Sequence, residues 1–409
     1  SSDLSVGTPE AIQQVTDIIT TTIDAGQRVL VVVSAMSGVT NSLLACVSAA
    51  VDGDKWEYNN LARSIRDRHV DTINLLMPAS ARREATLQSI QELMDQQVQL
   101  CDAINILGEA TPRIKDAIVS FGERFSSRMI AAILAERGVR ARAYDGGDFV
   151  ITNNNYQNAE PLWEETEQRI RQNLLPQVEA GVTPIITGFI GAAPDGSTTT
   201  LGRGGSDFSA AIFAAHSNSD ELIIWTDVDG VMTTDPRLDA RARVLPYVSY
   251  TEVGEMAYYG AKVLHPKTVQ PIIQRNIPLR VRNTFNADYP GTLIGAEQQH
   301  SDTVLKAVTC IRDVSMLTIS GKGMLGVPGI AGRTFSASAQ AGANILMISQ
   351  SSSEQSFCFT VLDDRAQAVK DAVENELSAE IGYQDVDGVD VLADIVIVTA
   401  VGAGMRHKP

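Results

Sequence analysis

Residues 28–41 read RVLVVVSAMSGVTN, and this stretch decides the fold class. Val29 to Val33 is an unbroken apolar, mostly β-branched run. It shows no polar alternation, so it reads as a strand buried on both faces. It passes directly into small hydroxylated residues, Ser34 to Asn41, which open a helix-period segment. Strand, small-residue turn and helix in that order form the βα unit of an open, mostly parallel sheet. The same signature recurs at residues 184–187 (PIIT), 221–226 (ELIIWT) and 278–283 (PLRVRN). Between these strands lie longer helical patterns. Leu87, Ile90, Met94, Val98, Cys101 and Ile104 repeat at three and four, the stripe of a helix that faces a core. The expected fold is α/β, three-layered, with helices on both faces of the sheet.

Past residue 295 the texture changes. Residues 295–302 (GAEQQHSD) read as a polar linker. A β-α-β-β pattern follows, with strands at 315–320, 344–349 and 356–361, a helix at 329–341 and a second helix at 364–377. That is a small ferredoxin-like unit. Gly321, Gly323, Met324 and Pro328 then recur as Gly402, Gly404, Met405 and Pro409, each offset by 81 residues and each copy preceded by a β-branched strand. The repeat predicts three segments: 1–298, a catalytic domain; 305–390, the small unit; and 391–409, the truncated start of a second copy. GKGMLG at 321–326 also matches GxGxxG, but its repeat has His407 at the third glycine position. A loop needing glycine for backbone reasons fits better than a dinucleotide site.

Composition narrows the function. The 409 residues carry 33 Lys+Arg against 49 Asp+Glu, a net charge of −16. Nucleic acid and anionic membrane surfaces both require clustered cations, so neither is an expected partner. No apolar run approaches the ~20 residues of a membrane span, and residues 1–3 begin no signal-peptide pattern. Cys46, Cys101, Cys310 and Cys358 are scattered without CxxC pairs, and the five histidines form no metal-ligand spacing. A reducing compartment follows, with no resident metal cluster.

Five motifs carry the chemistry. Ser34 to Asn41 offers hydroxyls and backbone N–H groups to an anion at a strand's carboxyl end. FGERFSS (121–127) places Glu123 at a helix start. LGRGGSD (201–207) joins three glycines, which permit close backbone approach to phosphate, to Arg203 and Asp207. WTDVDGVMTTDPR (225–237) is a Thr- and Asp-rich loop after a buried strand. GAKVLHPK (260–267) sets Lys262 among small and apolar neighbours, while His265 reads equally as a helix-end histidine. No Ser-His-Asp or Cys-His set is evident. Glycine loops and cations favour phosphoryl transfer, which is catalysed mainly by positioning and charge neutralisation.

In this order, VSAMSGVTN, FGER, GRGGSD, WTDVDGVMTTDPR and GAKVLHPKT resemble the aspartokinase family. Residues 326–354 (GVPGIAGRTFSASAQAGANILMISQSSSE) resemble its regulatory ACT module, and look closest to the kinase half of bifunctional aspartokinase–homoserine dehydrogenases. The resemblance implies an amino-acid-kinase fold followed by ACT modules. It implies phosphorylation of the L-aspartate side-chain carboxylate by ATP, the first step of Lys, Thr and Met biosynthesis, under amino-acid feedback. Lys262 and Asp207 would be catalytic. Ser34, Thr40, Glu123, Arg203 and Ser206 would bind aspartate. Thr226, Asp227, Met232, Arg237 and Lys262 would contact ATP, with Mg²⁺ held mainly by its phosphates. Asn344, Ile345, Gln350 and Glu354 would bind the effector, in a homodimer or larger homo-oligomer built through ACT units. The implied setting is the cytoplasm, or the plastid of a plant.

Three positions depart from the family pattern. Its opening strand, Lys-Phe-Gly-Gly-Thr-Ser, is expected just ahead of Ser1. Met232 stands where relatives can carry Tyr. Leu346 stands where lysine-inhibited relatives place Asp, so threonine is favoured over lysine as effector. A catalytically silent amino-acid-binding subunit and a kinase with another acceptor are the alternatives.

Overall fold

The computed structural model describes residues 5–261, 264–297, 305–324, 327–350 and 355–402. They form two compact units. The first runs to Tyr258 and resumes up to Lys306; the second holds Tyr259–Ala261 and Ala307–Val401.

The first unit opens with α1 (Pro9–Asp24), β1 (Val31–Val33), α2 (Val39–Val51), α3 (Lys55–Leu76), α4 (Ala81–Leu107), α5 (Pro112–Val119) and α6 (Phe121–Glu136). After β2 (Ala141–Tyr144) come α7 (Trp163–Arg169), a π-helical turn (Ile170–Leu174) and α8 (Leu175–Glu179). β3 (Thr183–Thr187) leads into the hairpin β4 (Ile190–Ala192) and β5 (Thr198–Thr200), then α9 (Gly205–Ser217) and β6 (Leu222–Thr226). β7 (Tyr247–Ser249), α10 (Tyr250–Tyr258), α11 (Pro266–Ile273), β8 (Leu279–Asn283) and β9 (Thr292–Gly295) complete it.

Strands β1, β3 and β2 form an all-parallel sheet in the order β1-β3-β2. Successive side chains of a strand point to opposite faces, and two cores follow from that. Val33 and Ile185 join the core built by α1 to α6, while Ile186, with Leu30 and Val32 packed beside it, joins the core built by the π turn and α9. The unit is therefore three-layered. A second sheet, β6-β8-β9-β7, is mixed: β6–β8 and β7–β9 are parallel, β8–β9 antiparallel. The stripe read from the sequence lies in α4, where Ile90, Met94, Cys101 and Ile104 are buried.

The second unit consists of β10 (Ala307–Ser320), α12 (Ile330–Gln340), β11 (Met347–Gln350), β12 (Ser356–Leu362), α13 (Asp363–Glu376), α14 (Ser378–Gly382) and β13 (Gly388–Val401). The sheet order β11-β12-β10-β13 is the ferredoxin-like one. Gly321 and Gly323 have the backbone reason expected of them: a Cβ on either would lie 2.1–2.5 Å from atoms of Asp385.

One strand needs correction here, and one boundary meets an unbroken strand. The strand expected at 344–349 begins only at Met347, although Leu346 already donates its N–H to the Thr360 carbonyl of β12. The boundary drawn at residue 391 falls inside β13, which runs unbroken from Gly388 to Val401. β10 and β13 explain why. Their first residues (307 and 388), last residues (320 and 401) and left-handed aspartates (Asp313 and Asp394) are each 81 residues apart. The strands pair antiparallel, Ala307 opposite Val401 and Ser320 opposite Gly388, with the register shift at those aspartates. The two strands thus pair about a local two-fold.

Candidate active site

β1 ends at the first wall of the site. Ser34 follows it half-buried, and Val33 accepts a hydrogen bond from Gly188 N at 2.8 Å. The turn continues through Gly38, whose φ of 80° needs glycine, into α2, with Thr40 half-buried in its first turn. Arg68 of α3 donates to the Ser37 carbonyl at 2.5 Å and to the Gly7 carbonyl, fixing this turn from behind. No sequence pattern points to that arginine.

Glu123 lies in the first turn of α6 and is buried at 3% exposure. Its Oε1 accepts the Ala35 N–H at 3.3 Å, directly beside Ser34. The approach depends on Gly122, where a Cβ would sit 2.7 Å from the Ala35 Cβ. FGER and SAMSGVTN therefore meet.

The glycine loop closes against the same wall. A Cβ at Gly188 would lie 2.9 Å from both Cα and Cβ of Ser206, so only glycine lets the two loops touch. Phe189 adopts φ 65°, donates its N–H to Ser209 Oγ at 3.0 Å and accepts from Leu201 N at 2.9 Å. Arg203 is exposed, whereas Ser206 and Asp207 are half-buried in the first turn of α9. Gly204 (φ 72°) caps that helix, and a Cβ there would lie 2.6 Å from the His265 Cβ. His265 is itself the N-cap of α11, accepting Lys267 N at 3.3 Å. Burial first, then Lys267 and Arg203, push the His265 pKa below its usual value, so the ring stays neutral beside the loop. Lys267 Nζ reaches Asn158 Oδ1 at 2.9 Å. Lys262 and Glu354 lie outside the described residues.

The nucleotide motif leaves the carboxyl end of β6, which follows α9 through a short turn and packs on it, so Thr226 and the α9 start share one end. Thr226 is buried and donates to Asp227 Oδ1 at 3.1 Å. Asp229 accepts from Asn283 at 2.8 Å and Asn286 at 3.1 Å, which ties the loop to β8. Met232 is half-buried and bridges to Val244. Arg237 is the outlier. Its side chain is 70% exposed and forks onto Asp235 with contacts of 3.0 and 2.7 Å.

In the second unit Asn344 is exposed and Ile345 packs on the core at the entrance to β11, while Gln350 is exposed at its end. These three frame an edge strand. A separate cavity of about 630 Å³ in the first unit is lined by Arg124, Asp145, Asp148, Glu165 and Arg169 among others, and by none of the residues expected to bind aspartate or ATP. Arg124 is paired with Asp145, and the lining acids Asp145, Asp148 and Glu165 outnumber the lining arginines Arg124 and Arg169, a balance that does not favour a phosphate. We take the motif cluster as the functional site.

Comparison with known proteins agrees with this geometry. A model of the amino acid kinase family matches residues 2–283, and one of the ACT domain matches residues 317–377. Aspartokinase 1, chloroplastic, of Arabidopsis thaliana is 33% identical over 99% of this chain and 70% of its own length. The chain belongs to the aspartokinase family. A bifunctional member, aspartokinase/homoserine dehydrogenase 1, chloroplastic, of Arabidopsis thaliana, is 35% identical over 99% of this chain. The chain spans 44% of that relative's length. Among solved aspartokinases, E. coli aspartokinase III in complex with aspartate and ADP (R-state) superposes with a TM-score of 0.79 at 30% identity. The match covers 97% of this chain and 85% of that one, and its complex with lysine and aspartate (T-state) gives the same figures. No described helix is long and apolar enough to cross a membrane.

Proposed function

We propose that the chain transfers the γ-phosphoryl group of ATP to the side-chain carboxylate of L-aspartate, giving 4-phospho-L-aspartate and ADP. The observation that carries this reading is the meeting of Ala35 with Glu123 and of Gly188 with Ser206, which sets Ser34, Glu123 and the Arg203 loop around one space. The E. coli relative's complex with aspartate and ADP supports it.

A carboxylate acceptor is already ionised, so the attacking oxygen needs no general base. One carboxylate oxygen bonds to the γ-phosphorus as the bond to the β–γ bridging oxygen breaks, and ADP leaves with that electron pair. Arg203 would take one substrate carboxylate bidentately, and Glu123 the ammonium group. Ser34, Thr40 and Ser206 would fix orientation. Thr226, Asp227 and Met232 would hold the nucleoside, and Arg237 the phosphates once freed from Asp235. Lys262 would neutralise the charge on the transferring group, and in such reactions charge stabilisation does most to lower the barrier. Among the described residues no three His, Cys, Asp or Glu side chains gather to hold a metal. Asp207, half-buried in the first turn of α9, would contribute one carboxylate to Mg²⁺ that arrives on the nucleotide phosphates. Bound there, Mg²⁺ would offset phosphate charge.

The division into 1–298, 305–390 and 391–409 belongs to the same reading, and the 81-residue match of β10 with β13 supports a second ACT copy beginning on β13. An amino-acid effector would bind at Asn344, Ile345, Gln350 and Glu354, with threonine favoured over lysine because Leu346 offers no charge to an effector amine. ACT units would join chains into a dimer or larger oligomer, in the cytoplasm or a plant plastid. The test is ADP production with L-aspartate, L-glutamate, N-acetylglutamate or UMP as acceptor. Strong preference for L-aspartate is expected, and a better rate with any other acceptor overturns the reading.

A further inference from the structure

We propose that Asp116 is a positioning residue that clasps the glycine loop to the helix carrying Glu123. The inference rests on the aspartate-acceptor reading and adds to it a residue that touches no substrate. Asp116 lies in the last turn of α5 at 1% exposure. Its Oδ2 accepts the backbone N–H groups of Thr200 and Gln157, both at 2.9 Å, and its Oδ1 accepts the Thr200 hydroxyl at 2.9 Å. Two backbone N–H donors meet Oδ2 and a hydroxyl meets Oδ1, so each carboxylate oxygen has a partner. Burial raises the Asp116 pKa while those three donors act against it.

Each partner leads to the site. Thr200 ends β5, three residues before Arg203, and its carbonyl accepts Ala159 N at 2.9 Å. Gln157 holds φ 72°, and its neighbour Asn158 presses on the turn: a Cβ at Gly202 would lie 2.8 Å from Asn158 Oδ1 and 3.1 Å from the Gln157 carbonyl. On the other side, the Asp116 carbonyl accepts Ser120 N at 3.1 Å, where α5 gives way to α6 and to Glu123. One buried carboxylate thus fixes the distance between the two elements that would grip opposite ends of the amino acid. The nucleotide loop receives no bond from it.

The test is Asp116→Ala, which removes all three acceptances, alongside Thr200→Val, which removes only the hydroxyl bond. In Asp116→Ala the KM for L-aspartate should rise about 10-fold or more, with the KM for ATP within about 2-fold. Thr200→Val should shift the same constant in the same direction, less strongly, and should fold even where Asp116→Ala does not. Amide hydrogen exchange at Gln157 and Thr200 should quicken in both variants, ahead of exchange in α4. Equal shifts of both KM values, or lowered Tm with unchanged KM and unchanged exchange, would overturn the clasp. Wild-type protein inert toward aspartate would sink the acceptor reading instead, and the exchange data would still judge the clasp.

Discussion

The two sides of the site are built on different principles. On the side proposed for aspartate, Glu123 is buried, Gly188 and Gly204 admit no side chain, and Arg68 and Asp116 hold the turns from behind. On the side proposed for the nucleotide, Asp227 and Met232 are half-buried, and Arg237 is exposed and forked onto its own neighbour Asp235. Packing fixes the first side before any ligand arrives. The second has ligand groups paired with one another, and a nucleotide must exchange those pairs for its own. Discrimination among acceptors should therefore lie in rigid geometry, and nucleotide binding in electrostatics that salt can screen.

The largest expected effect tests how dry the aspartate side is. His69 of α3 is fully buried, bonds through Nδ1 to the Ile65 carbonyl at 2.7 Å, and packs against Phe125 of α6 at 5.0 Å. Burial holds its pKa down at about 4. A histidine that charges near 6.5 when unfolded but only near 4 when folded stabilises the fold fully above pH 6.5. On the order of 3 kcal/mol is lost as pH falls from there through 4. Urea melts at several pH values should show that loss, and His69→Gln should flatten it. A wild-type profile flat over that window would mean the layer beneath Glu123 is wetter than its packing implies.

Gly188→Ala comes next. The new Cβ meets the Ser206 backbone at 2.9 Å, so the loops must part, and kcat/KM for aspartate should fall about 100-fold. Steady-state kinetics checks this, and a fall under 3-fold would show that the walls are not rigid. Arg203→Ala should raise the KM for aspartate about 30-fold with Tm unchanged, because the side chain is exposed in the free protein. A matching loss in ATP affinity would blur the two sides. The smallest effect belongs to Arg237→Ala. A surface pair contributes little, so the KM for ATP should rise about 3-fold and the aspartate constant should hold.

How much of this is legible in the sequence follows from the range of each interaction. The strands ending at Val33, Thr187, Thr226 and Asn283 are readable, because local apolar runs define them. The motifs are readable as units, because each is contiguous. The clasp is not: Asp116 and Thr200 are 84 residues apart, and nothing in the local pattern of either announces the other. Arg68 is hidden for the same reason, since its targets are backbone carbonyls, which any residue supplies. The Asp235–Arg237 fork is open to reading from its spacing of two around a proline, although a phosphate role competes for the same arginine. The boundary at 391 meets no break that composition could mark, because β13 runs unbroken from Gly388 to Val401.

Acyl-phosphate formation is the most direct consequence of the proposed reaction. With ATP, L-aspartate and hydroxylamine, the protein should form aspartyl hydroxamate in step with ADP release, and Arg203→Ala should suppress both. ADP release without aspartate dependence, or hydroxamate formed equally well from glutamate, would contradict it.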